Sequence, residues 1–440
     1  MSSPHFEQDA PTIEIHPQSA LADEPLTIRI TGLLPRQSAT LRAGMHGPFG
    51  QDWESQATFQ ADGRGTVDLT REAPDSGTYA IADPMGMVWS MEATAATGDS
   101  RPAPDDLLAP TIITFIVEVE GKRVTEATAE RLHIAPGVSR QLVREQGLVG
   151  TFFQPPGPEP RPGVMLVGGG EGGLPEAVAA LLASHGYATL ALAYFRMEDL
   201  PPGLESIPLE YFQTAAAWLQ SQQGVHADRL GVLGGSRGGE LALLLGATFP
   251  VFTAVVSYLG SGVITQAISG ANALEMLNSG RPSWTFRGQP LPYLSSATTP
   301  ALEAQVRAEQ PVELRSMFEA ALEDATAVEA ATIPVERTNG SVLLFSAGDD
   351  RLSPSTRLSE VAEERLARHQ HSRCFEHVRY ERAGHAMISP PYRPTTARVA
   401  PGPGVTFVMG GTTVDDARAT ADAWGRTLAF FAQQLKQEGA

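Results

Sequence analysis

The sequence predicts two domains of different class. An N-terminal antiparallel β-sandwich precedes a mostly parallel sheet covered by helices on both faces. Three observations carry this. Short period-two runs separated by turn residues fill residues 11–120. Beyond a Pro/Gly cluster at 154–163 (QPPGPEPRPG), apolar strands alternate with helical stretches. A chain of 440 residues that is 42% hydrophobic and 19% charged can bury more than one core.

In the first part, residues 12–16 (TIEIH), 26–31 (LTIRIT), 39–43 (ATLRA), 66–69 and 112–119 (IITFIVEV) alternate apolar and polar. Asp-Gly and Pro-Asp-Ser-Gly turns lie among them. Short strands at that spacing suggest an Ig-like sandwich over residues 1–130, with a surface loop at 93–110. The second domain takes 131–440. Its strand candidates 164–167, 188–193, 230–233, 254–259, 341–346 and 376–380 are nearly all apolar, as strands buried on both faces must be. Helices are expected at 175–185, before 223, at 237–249 and at 414–434. A long mixed segment at about 260–335 breaks the order and reads as a lid-like insertion.

The formal net charge is 32 − 50 = −18, which argues against a nucleic-acid partner or an anionic membrane surface. No apolar run is long enough for membrane insertion, and no secretory leader is evident. Cys374 is the single cysteine, which excludes an internal disulfide and a multi-cysteine metal site. A cytoplasmic protein is expected. The only lysines are Lys122 and Lys436, so any phosphate site must use arginine.

The strongest local signal is LGVLGGSRGGELALLL at 230–245. It holds Gly234-Gly235-Ser236-Arg237-Gly238, a G-x-S-x-G, after a buried strand and before an amphipathic helix. That context is what a nucleophile elbow needs: a sharp turn lifts the serine Oγ above the sheet edge, and the helix start offers N–H groups to an oxyanion. The fold expected is therefore an α/β hydrolase.

A serine needs a base and the base needs an orienter, in the chain order Ser, Asp/Glu, His. His385, in Arg382-Ala383-Gly384-His385, follows the last candidate strand and is the expected base. His371 lies in a polar stretch and His377 within a strand pattern. The strand at 341–346 leads into Asp349-Asp350-Arg351-Leu352. Either carboxylate suits the acid. The Asp-x-x-Leu spacing common in hydrolases favours Asp349, with Asp350 capping the next turn or pairing with Arg351. For the oxyanion hole, the N–H after the nucleophile is that of Arg237, and the glycine loop at 168–173 (GGGEGG) supplies the second, from Gly169 or Gly170. That loop lacks the Gly-Lys-Ser/Thr of a phosphate-cradling loop.

Further segments resemble the type I acyl-CoA thioesterases and their relatives, the bile acid-CoA:amino acid N-acyltransferases. They include Asp23-Glu24-Pro25, PMGMVWSM at 84–91, VREQGLVGT at 143–151, ALAYFRMEDLP at 191–201, IPVER at 333–337, GHAMISPPY at 384–392 and AWGRTLAFF at 423–431. The resemblance runs in family order over about residues 11–435. It implies a sandwich joined to an α/β-hydrolase domain and maps the family's triad onto Ser236, Asp349 and His385. The amino-acid-conjugating branch typically carries cysteine as nucleophile, so serine here favours hydrolysis. The expected reaction is hydrolysis of an acyl-CoA thioester, with no metal or organic cofactor and coenzyme A as part of the substrate. Alternatives are a carboxylester or other acyl hydrolase, an acyltransferase to an amine or alcohol, and a non-catalytic binding protein. The chain departs from the pattern in the insertion and just after the paired aspartates, so the resemblance implies no particular acyl group. Oligomeric state is not legible.

Overall fold

Residues 10–47, 50–94, 106–388, 390–402 and 404–436 are described by a computed structural model. They fall into two compact units. One runs to Ile134 and also takes in Pro390–Ala397; the other holds the rest, from Ala135 onward.

Alternation builds the first unit. In Thr12–His16 the buried side chains are Ile13 and Ile15, and in Thr27–Thr31 they are Ile28 and Ile30. The two strands pair antiparallel, Ile13 opposite Ile30, so one face of this small sheet is apolar. A larger sheet orders Ser19–Leu21, Lys122–Leu132, Thr111–Val119, Ser38–His46, Asp52–Gln60 and Ser76–Gly77. It too buries alternate residues: Leu41, Ala43, Ala57, Phe59, Ile113, Phe115 and Val117. Each sheet thus has an apolar face, and the larger one is antiparallel except for the parallel pairing of Ser19–Leu21 with Lys122–Leu132. Trp89, in the short helix Gly86–Trp89, is buried, stacks edge-on against Tyr79 and donates from Nε1 to Asp83. Thr395 donates to the Trp89 carbonyl through both its N–H and its hydroxyl. Most of the loop expected at 93–110 lies outside the described residues.

Eight strands form the main sheet of the second unit: β1 (Ser139–Val143), β2 (Val149–Gln154), β3 (Arg161–Val167), β4 (Ala188–Ala193), β5 (Val225–Gly235), β6 (Phe252–Tyr258), β7 (Ser341–Ala347) and β8 (Phe375–Tyr380). Their order is β1-β2-β4-β3-β5-β6-β7-β8. The β1-β2 and β2-β4 pairs are antiparallel and the others parallel, so the sheet is mixed. Every residue of β4 and β7 is buried, while the edge strands β1 and β8 are largely open. This is the sheet of an α/β hydrolase. Helix α1 (Glu176–Ser184) follows β3, α2 (Leu209–Ser221) follows β4 and α3 (Arg237–Thr248) follows β5. In α2 the buried Leu209, Phe212, Ala216 and Leu219 recur at helical spacing.

The insertion between β6 and β7 carries α4 (Ala273–Leu277), α5 (Pro300–Arg307), α6 (Arg315–Ala321) and α7 (Ala325–Ala331). It has its own apolar cluster, including Ala273, Met276, Leu302, Val306, Val312 and Met317. α8 (Ser355–Arg368) follows β7, and α9 (Thr413–Phe431) closes the unit.

Candidate active site

Ser236 stands at the turn from β5 into α3 with φ 54° and ψ −119°. A positive φ is costly for a residue with a Cβ and persists only where the surroundings enforce it. They do so here. The Ser236 N–H donates to the Tyr258 carbonyl at 2.8 Å, and its own carbonyl accepts from Gly239 and Glu240 as the helix begins. A methyl on Gly238 would lie 2.4 Å from the Gly168 carbonyl oxygen, so only glycine lets the helix start so close to the loop after β3.

The imidazole of His385 meets Ser236 Oγ through Nε2 at 3.1 Å. Its Nδ1 lies 2.8 Å from Asp350 Oδ2. Asp350 has no exposed side-chain surface and His385 only 5%, while Ser236 keeps partial exposure. Oδ1 of Asp350 accepts from the N–H groups of Leu352 and Ser353 at 3.0 and 2.9 Å. A buried carboxylate held by two amides is well placed to orient the imidazole and to fix its tautomer.

The structure thus corrects the favoured acid. Asp349 turns away from His385. Its Oδ1 takes the Arg351 guanidinium at 2.7 Å and its Oδ2 accepts from the Gly411 N–H at 3.0 Å. Asp349 therefore braces the turn at 409–411, and Asp350 faces the imidazole.

That turn supports the base. His385 N–H donates to the Met409 carbonyl at 2.8 Å. Asp416, at the start of α9, accepts from the Gly384 N–H at 2.7 Å and from Arg398 at 2.8 Å. Burial raises the carboxyl pKa of Asp416, against those two donors. A methyl on Gly410 would fall 1.8 Å from the Asp349 carbonyl oxygen. Sequence reasoning missed Met409, Gly410, Asp416 and Arg398. The Gly410-Gly411 pair just before a Thr-capped helix was the one available signal.

Of the two loop glycines, Gly169 has its N–H occupied by Glu171 Oε1 at 3.1 Å. This corrects the expectation for Gly169. Among the described residues, neither the Gly170 nor the Arg237 N–H has a protein acceptor. Tyr194 holds the loop by donating to the Gly168 carbonyl at 2.7 Å; burial pushes its pKa well up, so it remains a donor.

The Arg237 side chain runs into the insertion. Its guanidinium pairs with Glu240 at 2.6 Å and donates to the Thr265 carbonyl and to Ser283 Oγ. Glu240, 1% exposed, also accepts from Thr265 N–H, Thr265 Oγ1 and Trp284 Nε1. No metal-binding cluster of three or more His, Cys, Asp or Glu is found among the described residues. No described helix is long and apolar enough to cross a membrane.

Residues 207–437 match the family described as BAAT / acyl-CoA thioester hydrolase C terminal, and residues 23–145 match the acyl-CoA thioester hydrolase/BAAT N-terminal region. Mouse acyl-coenzyme A thioesterase 6 is 32% identical, with 98% of each chain covered. Mouse acyl-coenzyme A amino acid N-acyltransferase 1 is 32% identical over 96% of this chain and 98% of its own. Mouse peroxisomal succinyl-coenzyme A thioesterase is 32% identical over 97% of both. Among solved structures, a puromycin-hydrolysing peptidase of Mycobacterium tuberculosis is 13% identical, with 95% of this chain and 67% of that chain covered, at a TM-score of 0.41. That score is too low to add to what the strand order already says of the fold.

Proposed function

This chain belongs to the acyl-CoA thioester hydrolase/BAAT family and is a hydrolase, and on that premise we propose that it cleaves acyl-CoA thioesters through Ser236, His385 and Asp350. The observation that carries the reading is the continuous chain from Ser236 Oγ through His385 to the buried Asp350 carboxylate. His385 Nε2 takes the hydroxyl proton as Oγ attacks the thioester carbonyl. Asp350 holds the proton on Nδ1 and stabilises the imidazolium. The oxyanion of the tetrahedral adduct lies against the Arg237 and Gly170 N–H groups. Such a donor is typically worth ~100–1,000-fold in rate. Coenzyme A leaves as a thiol whose free pKa is about 8.5, so expulsion asks little of the acid. His385 then activates water, and the acyl-serine breaks down to the free acid. Serine at 236 supports water as the acceptor. Coenzyme A enters only as part of the substrate, and this chemistry uses no metal or organic cofactor.

The test is thiol release from acyl-CoA esters of short, long and branched acyl groups, beside a p-nitrophenyl ester series, with Ser236→Ala as control. Release that vanishes in the variant supports the reading. Ester cleavage without thiol release sinks it and promotes a carboxylesterase.

A further inference from the structure

The side chain of Ile268 links the oxyanion loop to the insertion. A methyl on Gly170 would lie 2.9 Å from Ile268 Cδ1, so this isoleucine stands directly over the glycine whose N–H is open. Ile268 also packs against the insertion's apolar cluster, which contains Ala273, Met276 and Val306. The same three residues help line a half-open pocket, the cavity of the insertion, of about 540 Å³. That volume lies within the ~300–1,000 Å³ usual for small-molecule sites. Ile268 itself is only half-buried.

The backbone that carries Ile268 is pinned. Ile268 exchanges both of its backbone hydrogen bonds with Leu204. Ala267 donates to the Arg281 carbonyl and Gln266 to that of Leu294. Three residues before Ile268, the Glu240 carboxylate on the elbow helix holds Thr265 by its N–H and hydroxyl. Arg237 takes the Thr265 carbonyl, and Ser283 donates to it as well. The buried ion pair is thus placed to fix residues 265–268 relative to Ser236, and the Ile268 side chain with them.

Resting on the thioesterase reading, we propose that Ile268 sets acyl-chain length, standing between the oxyanion loop and the cavity in the insertion. The Arg237–Glu240 pair is the positioning device that holds it there. A short acyl group fits beneath Ile268. A long one must pass it to reach the cavity lined by Ala273, Met276 and Val306.

The test compares wild type with Ile268→Ala, Ile268→Phe, Glu240→Gln and Ile268→Ala/Glu240→Gln, each checked by its melting temperature. The readout is the ratio of kcat/KM for long- against short-chain acyl-CoA. Ile268→Ala should raise that ratio by roughly 10-fold or more, the scale at which pockets discriminate by a methylene or two. Ile268→Phe should lower it. Glu240→Gln should raise it in the same direction as Ile268→Ala, and the double variant should fall short of the two effects added. Ratios within twofold of wild type in both Ile268 variants overturn the assignment. A Glu240→Gln protein that melts lower with an unchanged ratio overturns the positioning role. If wild type turns over no acyl-CoA at all, the thioesterase reading falls. The same ratio is then read from the rates at which short- and long-chain alkyl fluorophosphonates block Ser236, and the Ile268 assignment stands or falls on it.

Discussion

Two clusters in the hydrolase unit join a serine, a histidine and a carboxylate at similar distances. In one, Ser236 Oγ lies 3.1 Å from His385 Nε2, and His385 Nδ1 lies 2.8 Å from Asp350. In the other, Ser346 Oγ lies 2.8 Å from His377 Nε2, and His377 Nδ1 lies 2.9 Å from Glu363. Distances alone would rank the second cluster at least as high. Its surroundings rule it out. Ser346 sits inside β7, opposite Arg379 in a parallel ladder, with no exposed surface. The N–H that follows it, on Ala347, already donates to Ser355 Oγ. The His377 side chain has no exposed surface either. Ser236, by contrast, has a positive φ that places it at a turn, partial exposure, and a following N–H without an acceptor among the described residues. The backbone is therefore what supports Ser236 over Ser346 as the proposed nucleophile: a turn that presents Oγ and leaves amides open beside it. The second cluster is a polar brace tying β7 and β8 to α8.

The sharpest way to break this comparison is to delete each hydroxyl. Ser236→Ala should lower kcat by about 10⁵–10⁶-fold, the scale seen when a triad nucleophile is removed. Ser346→Ala should leave kcat within about threefold and cost ~1 kcal/mol of stability for a lost buried hydrogen bond. Thiol release and thermal melting read the two effects. A large loss of turnover in Ser346→Ala would mean that the brace serves catalysis.

The carboxylates come next. Asp350→Asn should cost about 10³–10⁴-fold in kcat, because an amide beside Nδ1 favours the wrong tautomer. Asp349→Asn keeps an acceptor for Gly411 and loses only the charge facing Arg351, so it should cost less than ~10-fold. Equal losses would contradict the placement of Asp350 against His385. A smaller effect is expected one layer out. Asp416→Ala removes the acceptor of the Gly384 N–H and one partner of Arg398, and should lower kcat by about 10-fold with little change in KM, since positioning is lost and binding is kept.

The sequence made the sheet, Ser236 and His385 legible because their signals are local. A glycine-flanked serine between a buried strand and a helix says where Oγ will be, and a histidine just after a late strand says which edge it reaches. The choice between Asp349 and Asp350 is not local. Neighbours in a loop point to opposite sides, and which side is which depends on the Leu352 and Ser353 amides and on the turn at 409–411. Asp416 and Arg398 were invisible for the same reason: folding alone brings α9 against the loop of His385. Glu240 had a readable signal, a carboxylate inside the otherwise apolar GGELALLL. Its partners Thr265 and Trp284 lie in an insertion whose path no periodicity reveals. In sequence Gly169 and Gly170 are alike; the Glu171 carboxylate on the Gly169 N–H is what separates them.

The smallest effect separates the two histidines by pH. Burial lowers the pKa of His377, with Arg379 acting the same way and the Glu363 hydrogen bond opposing. Glu360 and Glu363 on α8 also face it. In the unfolded chain this histidine titrates near ~6.5. Below that pH the unfolded state binds the proton that the folded state refuses, so stability falls as pH drops through about 6.5 and on toward the lower folded value. Glu363, whose own pKa is lowered by His377 and Arg379 against its burial, adds a loss of the same sign at more acidic pH. His133 in the first unit, also lowered by burial, contributes equally to wild type and variant. His377→Gln should therefore melt lower than wild type at pH 7 and lose less on going to pH 5. The difference should reach about 1.4 kcal/mol for each tenfold by which folding weakens proton binding at His377. The pH–rate profile for thiol release should be the same in both, because His377 bonds to Ser346 and Glu363 and not to Ser236, His385 or Asp350. A profile that moves in His377→Gln would show that the brace between β7 and β8 reaches the catalytic loop, and the separation drawn between the two clusters would fail.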